Sequence, residues 1–150
     1  MEVKVDTENH PKAQVFSLKT PLLSTGQTNK VVAGTDLLKV RVKVYAEGGE
    51  NELHAHFDED HSFIILQGQA TFYDKEGNTN VVNKYEGIML PKGTYYYFQS
   101  TGNENLVLLR MGAGRKPGDE NRLGTQGRAL TAEENKRIPG IPIPGEFFGG

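Results

Sequence analysis

The chain has 150 residues, of which 36% are hydrophobic and 24% are charged, a balance that fits one domain with a buried core. The formal net charge is −2, which argues against the basic surface that nucleic-acid binding requires, so we expect no nucleic-acid partner. No apolar run approaches about 18 residues and no signal-peptide pattern begins the chain, so we expect no membrane partner and a cytoplasmic location. Cysteine is absent, which leaves His, carboxylate and Tyr side chains as possible metal ligands.

The chain divides into three parts by composition. Residues 1–36 are interpreted as an N-terminal arm with the first strands, and residues 37–111 as the core of the domain. Within this core, short apolar or alternating segments are separated by Gly, Pro, Asn and Asp, a spacing typical of a β-barrel or sandwich. Residues 39–44 alternate charge with Val, which predicts a strand with one buried and one wet face. Further strands are predicted at residues 63–66, 69–73, 79–82, 88–90, 94–99 and 106–111, with a hairpin turn at 74–78.

Two of the predicted strands, residues 63–66 and 106–109, are apolar on both faces. A barrel interior covers only one face of a strand, so the other face must meet a second sheet, the terminal arms or a second subunit. We therefore expect a homodimer, while a second sheet within the chain would also cover much of this surface.

Residues 112–150 form a Gly/Pro-rich C-terminal arm. Thr131 and Glu134 have the spacing of a capping box, which predicts a short helix that ends before Pro139. Residues 141–148 are too apolar for a solvated tail, so we expect them to pack in extended form on the barrel or on a partner subunit.

Three of the four histidines lie within eight residues: His54, His56 and His61. On a strand, residues two apart point to the same face, so His54 and His56 project together. With His61 beyond a short acidic turn, three imidazoles can close around one divalent ion. The alternative is that these histidines are hydrogen-bonded to acidic neighbours on a surface loop.

The positions of Gly48, His54, His56 and Gly68 carry a resemblance to a known family. Together with Pro91-Lys92-Gly93 they resemble the two motifs of the cupin superfamily, over residues 37–111. Two ligand positions depart from the usual pattern, because His61 stands where these proteins usually have Glu and Tyr96 where they usually have His. The resemblance implies an all-β fold, a single-domain jelly-roll β-barrel.

The resemblance also implies a metal site. It assigns His54, His56 and His61 as ligands of one divalent transition metal per chain, which could be Fe, Mn, Ni or Zn. Asp60, Glu59 and Tyr96 are alternative ligands or lie just behind the ligands, and Tyr96 is the candidate catalytic residue.

Several functions remain open at this point. The resemblance favours a metal-dependent dioxygenase acting on a small carbonyl, enol or aromatic substrate; a redox-neutral isomerase, lyase or cyclase and a non-catalytic ligand-binding barrel are the alternatives. The substrate is expected to meet apolar residues on the inward side of the strands and an arginine that selects a carboxylate. The candidates are Phe63, Ile65, Phe98, Arg41 and Arg110.

Overall fold

The computed structural model describes residues 11–114, 122–124 and 137–150, and the described elements are all β-strands. The strands are β1 (Thr20–Thr25), β2 (Gln27–Gly34), β3 (Leu38–Tyr45), β4 (Gly49–His56), β5 (Glu59–Gln67), β6 (Gln69–Asp74), β7 (Thr79–Asn83), β8 (Gly87–Leu90), β9 (Tyr96–Ser100), β10 (Leu106–Gly114), β11 (Arg122–Gly124) and β12 (Ile141–Phe148). The strands predicted between residues 39 and 111 are confirmed.

Two five-stranded sheets form the barrel. Their strand orders are β2-β3-β10-β5-β8 and β11-β4-β9-β6-β7, and the pairs within each sheet are antiparallel. The neighbours in each sheet are mostly distant in sequence, which gives the jelly-roll arrangement that the resemblance implied. Within the described residues, no helix has the length and apolar composition needed to cross a membrane.

The space between the two sheets holds the main core. Its members are side chains from alternate positions of the facing strands, as the two-residue period of a strand requires. The fully or almost fully buried residues of this apolar core are Tyr45, Phe63, Ile65, Ala70, Phe72, Val82, Leu90, Tyr96, Phe98, Leu106 and Leu108.

The outer face of the first sheet is covered by the two ends of the chain. Strands β1 and β12 form a two-stranded antiparallel sheet, and Leu23 of β1 and Phe148 of β12 pack against Val42 and Val107. Residues 141–148 are extended, as β12, and pair with β1; packing of the whole arm on the barrel or on a partner subunit stays a prediction. Ile141 stays 58% exposed in the single chain. The predicted helix at residues 131–134 lies outside the described residues.

Because β1 covers the Val side of β3, one prediction about this strand is wrong. The alternation of charge and Val predicted a wet face, but Lys43 is only 1% exposed and points into the barrel. The physical reason is that the Val side is covered by β1, while the Lys43 side faces the interior, where Glu50 of β4 accepts a hydrogen bond from its ammonium at 3.0 Å.

Candidate metal centre

The candidate ligands come from the end of β4 and the start of β5, which are joined by a short turn. His54 and His56 are two apart on β4 and both point inward. Glu59 and His61 are two apart on β5 and also point inward, with exposures of 1% each. The backbone of β11 pairs with β4 at His54 and His56, so hydrogen bonds hold this strand on both sides.

Within the described part of the chain, one group of side chains is arranged to hold a metal ion. The potential ligand atoms of His56, Glu59 and His61 all lie within 4.8 Å of one another. His56 Nδ1 is 3.6 Å from Glu59 Oε1, too far for a hydrogen bond. Both ring nitrogens of His56 are buried and have no hydrogen-bond partner among the described residues. A buried nitrogen without a partner is costly, and a divalent ion would satisfy it.

A cationic side chain, Arg110 of β10, lies against this group. Its Nη2 atom lies 3.0 Å from His61 Nε2 and 3.5 Å from Glu59 Oε1. His61 Nε2 is also in close contact with Glu59 Oε1. One nitrogen cannot donate to the carboxylate and accept from the guanidinium together, so these contacts compete. A metal ion bound to His61 Nε2 would take the place of the proton in either contact and would repel the guanidinium of Arg110.

The electrostatic surroundings keep the two imidazoles neutral. Burial lowers the pKa of His56, and the nearby His61 and Arg110 lower it further. Burial also lowers the pKa of His61, although its hydrogen bond to Glu59 opposes this shift. A neutral imidazole keeps the lone pair that a metal requires.

His54 lies beside this group without being one of its members. Its ring is 5.3 Å from the ring of His56, which is in turn 4.0 Å from that of His61, so the three predicted imidazoles stand in a row. The Nδ1–H of His54 donates to the carbonyl of Glu52 at 2.6 Å. This bond fixes the tautomer and directs Nε2 inward, where it lies 3.4 Å from Glu50 Oε2. Its role as a ligand stays a prediction.

Tyr96, the predicted catalytic residue, lies at the start of β9 and is 2% exposed. Its hydroxyl is 3.5 Å from His61 Nδ1, and its ring is 4.4 Å from that of His54. The phenol is thus next to two imidazoles, and its catalytic role stays a prediction.

Asp60 has a different role from its neighbours. It is exposed, because the pleat of β5 turns it away from Glu59 and His61, and its carboxylate accepts a hydrogen bond from the backbone N–H of Lys92 at 2.8 Å. Gly93, with φ of 84°, donates its N–H to the carbonyl of His56 at 2.8 Å. The alternative ligand Asp60 therefore lies outside the metal-binding group. Its hydrogen bond to Lys92 fixes the Pro-x-Gly turn, and that turn binds the backbone of His56.

The residues predicted to contact the substrate are found in two settings. Phe63, Ile65 and Phe98 are fully buried in the apolar core, and contact with a substrate stays a prediction for them. Arg110 is buried at the metal-binding group, whereas Arg41, directly opposite it in register, is half-buried and donates to Asn29 Oδ1 at 3.3 Å.

The sequence analysis missed part of this arrangement. The polar residues form a continuous chain of contacts, which we call the polar cluster: Lys43, Glu50, His54, His56, Glu59, His61 and Arg110. Glu59 was named only as an alternative ligand, although its spacing of two residues from His61 puts both on one face of a strand. Lys43 and Glu50 were not singled out, because neither belongs to a recognisable motif.

Taken together, the fold and the buried group of ligands define a small jelly-roll barrel with a candidate metal centre in its interior. Residues 41–112 match the family model for a cupin domain. These residues are therefore a cupin domain, as the spacing of the glycines and histidines implied.

Relatives support the same fold. The uncharacterized protein YdbB of Bacillus subtilis (strain 168) is 34% identical over 61 residues, which are 41% of this chain and 52% of YdbB, so the chain spans about half the length of that relative. A solved protein with a double-stranded β-helix domain from Klebsiella pneumoniae has a TM-score of 0.60 at 18% identity, covering 71% of this chain and 95% of that one. The structure of KdgF from Halomonas sp. has a TM-score of 0.53 at 21% identity, covering 60% and 81%.

Proposed function

We propose that this chain is a metal-dependent enzyme in which His56, Glu59 and His61 hold one divalent transition metal. The observation that carries the proposal is His56, a buried imidazole whose two nitrogens have no hydrogen-bond partner among the described residues. It faces a buried carboxylate and a second buried imidazole within ligand distance of one ion. An ordinary core histidine would have at least one of these nitrogens hydrogen-bonded.

The proposed reaction is oxidation of a small carbonyl, enol or aromatic compound by a dioxygenase. Two histidines and one carboxylate are the ligand set typical of non-haem iron(II) oxygenases. When bound, iron(II) would supply redox chemistry toward dioxygen and a Lewis acid for a substrate oxygen. The same ligands accept Mn, Ni or Zn, so the metal is to be decided by measurement.

Charge favours a substrate that binds as an anion. The two charges of a divalent ion and the guanidinium of Arg110 outweigh the single carboxylate of Glu59, so the site would keep positive charge. An enolate or carboxylate oxygen would balance it. Arg110 is 2% exposed, and in this dry setting its attraction for an anion is stronger than it would be in water. Arg110 would thus orient the acidic end of the substrate beside the metal.

Tyr96 is proposed to move a proton in this reaction. Its hydroxyl, 3.5 Å from His61 Nδ1, could donate a hydrogen bond, and then its proton, to a substrate oxygen next to the metal. This placement equally suits a redox-neutral isomerase, lyase or cyclase, which is the second candidate function. His54 remains a proposed additional ligand, since its inward Nε2 is oriented by the bond to Glu52.

Oxygen consumption separates the two candidates. The protein is loaded anaerobically with iron(II) or zinc(II) and offered β-diketones, catechols and thiols, with Tyr96→Phe measured beside the wild type. Substrate-dependent oxygen uptake by the iron form alone supports the dioxygenase. Turnover without oxygen by the zinc form, lost in Tyr96→Phe, supports the redox-neutral enzyme. Tight binding of these compounds without turnover in either form would replace both with a ligand-binding barrel.

A further inference from the structure

The barrel has an open seam where the two sheets end. Strand β7 is the last strand of one sheet and β8 the last strand of the other. A cavity of about 460 Å³ lies at this seam, within the range of small-molecule sites. We call it the seam cleft; residues that line it include Phe72, Asn80, Ile88, Leu90, Thr94 and Tyr96.

Two residues that line the seam cleft also lie next to His61 of the metal-binding group. Leu90, which lines the cleft, is paired in register with His61 on β5. Tyr96 lines the cleft and has its hydroxyl 3.5 Å from His61 Nδ1. Both residues therefore belong to the wall between the cleft and the metal-binding group.

The chemistry of the cleft differs from that of the metal-binding group. Among the described residues that line it there is no Lys or Arg. Its two carboxylates serve the local backbone: Asp74 accepts hydrogen bonds from the N–H groups of Glu76 and Asn78, and Glu86 accepts one from Asn83. An anionic group would be repelled here. Lys75 is not a lining residue, although its ammonium lies 4.8 Å from the ring centre of Tyr95.

We propose that the seam cleft binds the uncharged, partly aromatic portion of the substrate while its acidic end faces His61 and Arg110. Apolar surface from Phe72, Ile88 and Leu90 would cover a ring. The amide of Asn80 and the hydroxyl of Thr94 offer neutral hydrogen bonds. The contrast in charge between the cleft and Arg110 fixes the orientation of the bound molecule. This inference rests on the proposed metal-dependent function.

The first test does not need a metal. Phenol is titrated into the metal-free, ¹⁵N-labelled protein, and amide shifts are followed in the wild type, in Asn80→Trp and in Thr79→Trp. Asn80 is an exposed cleft residue, so Trp fills the cleft without entering the core; Thr79 is exposed on the same strand but does not line the cleft. Shifts should centre on Asn80, Ile88 and Thr94 and disappear only in Asn80→Trp. Shifts elsewhere, or equal shifts in all three proteins, would overturn the proposal.

The second test joins the cleft to the metal. Acetohydroxamate and benzohydroxamate carry the same metal-binding group, but only the second has a ring. Their affinities for the cobalt(II)-loaded protein should differ by about tenfold or more in favour of benzohydroxamate. Asn80→Trp should remove this difference and Thr79→Trp should keep it. Equal affinities in the wild type would overturn the proposed orientation. Failure to load cobalt would count against the metal function, while the phenol result still decides whether the cleft binds a ring.

Discussion

The apolar core and the polar cluster lie side by side in one barrel and follow opposite rules. The apolar core is built from aromatic rings in close contact, such as Phe98, whose ring centre is 5.0 Å from that of Phe72 and 5.6 Å from that of Phe63. The polar cluster instead buries polar side chains: the ring nitrogens of His56 have no hydrogen-bond partner among the described residues, and the contacts of His61 compete with one another. Stability is therefore expected to come from the first region and chemistry from the second.

Truncating the centre of the apolar core should have the largest effect on stability. Phe98→Ala removes a fully buried ring, so the free energy of unfolding should fall by about 3–5 kcal/mol in a urea titration. Metal stoichiometry at low temperature should not change. The control is Tyr97→Ala on the same strand, where an outward ring stacked on Tyr73 is lost and the cost should be about 1 kcal/mol. Equal costs for the two variants would show that the core is not where the stability lies.

Breaking the buried ion pair between Lys43 and Glu50 should have an effect of similar size on stability, and it tests the polar cluster. Lys43→Met leaves Glu50 without the ammonium 3.0 Å away, and the free energy of unfolding should fall by about 3–5 kcal/mol. The double variant Lys43→Met with Glu50→Leu should recover most of this loss, because it removes the buried charge as well. A double variant as unstable as the single one would mean that the pair contributes to stability in its own right.

Replacing Arg110 should raise the metal affinity, whereas replacing a ligand should lower it. Its guanidinium competes for His61 Nε2 and repels a cation, so Arg110→Met should raise the affinity for zinc(II) by about tenfold. Arg41→Met is the matched control, since Arg41 pairs in register with Arg110 but its side chain donates to Asn29. Lower zinc affinity in Arg110→Met than in Arg41→Met would mean that Arg110 supports the ligands instead of competing with the metal.

The smallest expected effect concerns assembly. Ile141 and Phe147 of β12 are 58% and 45% exposed in the single chain, and we expect a homodimer to cover this surface. Light scattering should give a dimer for the full chain and a weaker dimer for a chain that ends at residue 138. A monomer at every concentration for the full chain would contradict the expectation.

The comparison of the two regions also explains what the sequence could predict. The barrel was predictable because alternation along strands and the positions of turn residues are local signals. The resemblance likewise placed His61 at a ligand position, and the burial of its side chain agrees with this. Lys43 was misread as solvent-exposed, since its burial depends on β1 covering the Val side of β3 and on Glu50 across the barrel. The competition between Arg110 and Glu59 for His61 depends on strand pairing between β10 and β5, which no local pattern encodes.

Metal content tests the central claim most directly. The protein is purified without a His-tag, titrated anaerobically with cobalt(II), and compared with His56→Ala and with Asp60→Ala, whose carboxylate lies outside the metal-binding group. We expect close to one ion per chain for the wild type and Asp60→Ala, and an affinity lower by about a hundredfold or more for His56→Ala. Cobalt far below one per chain in the wild type, or equal affinity in His56→Ala, would contradict the account.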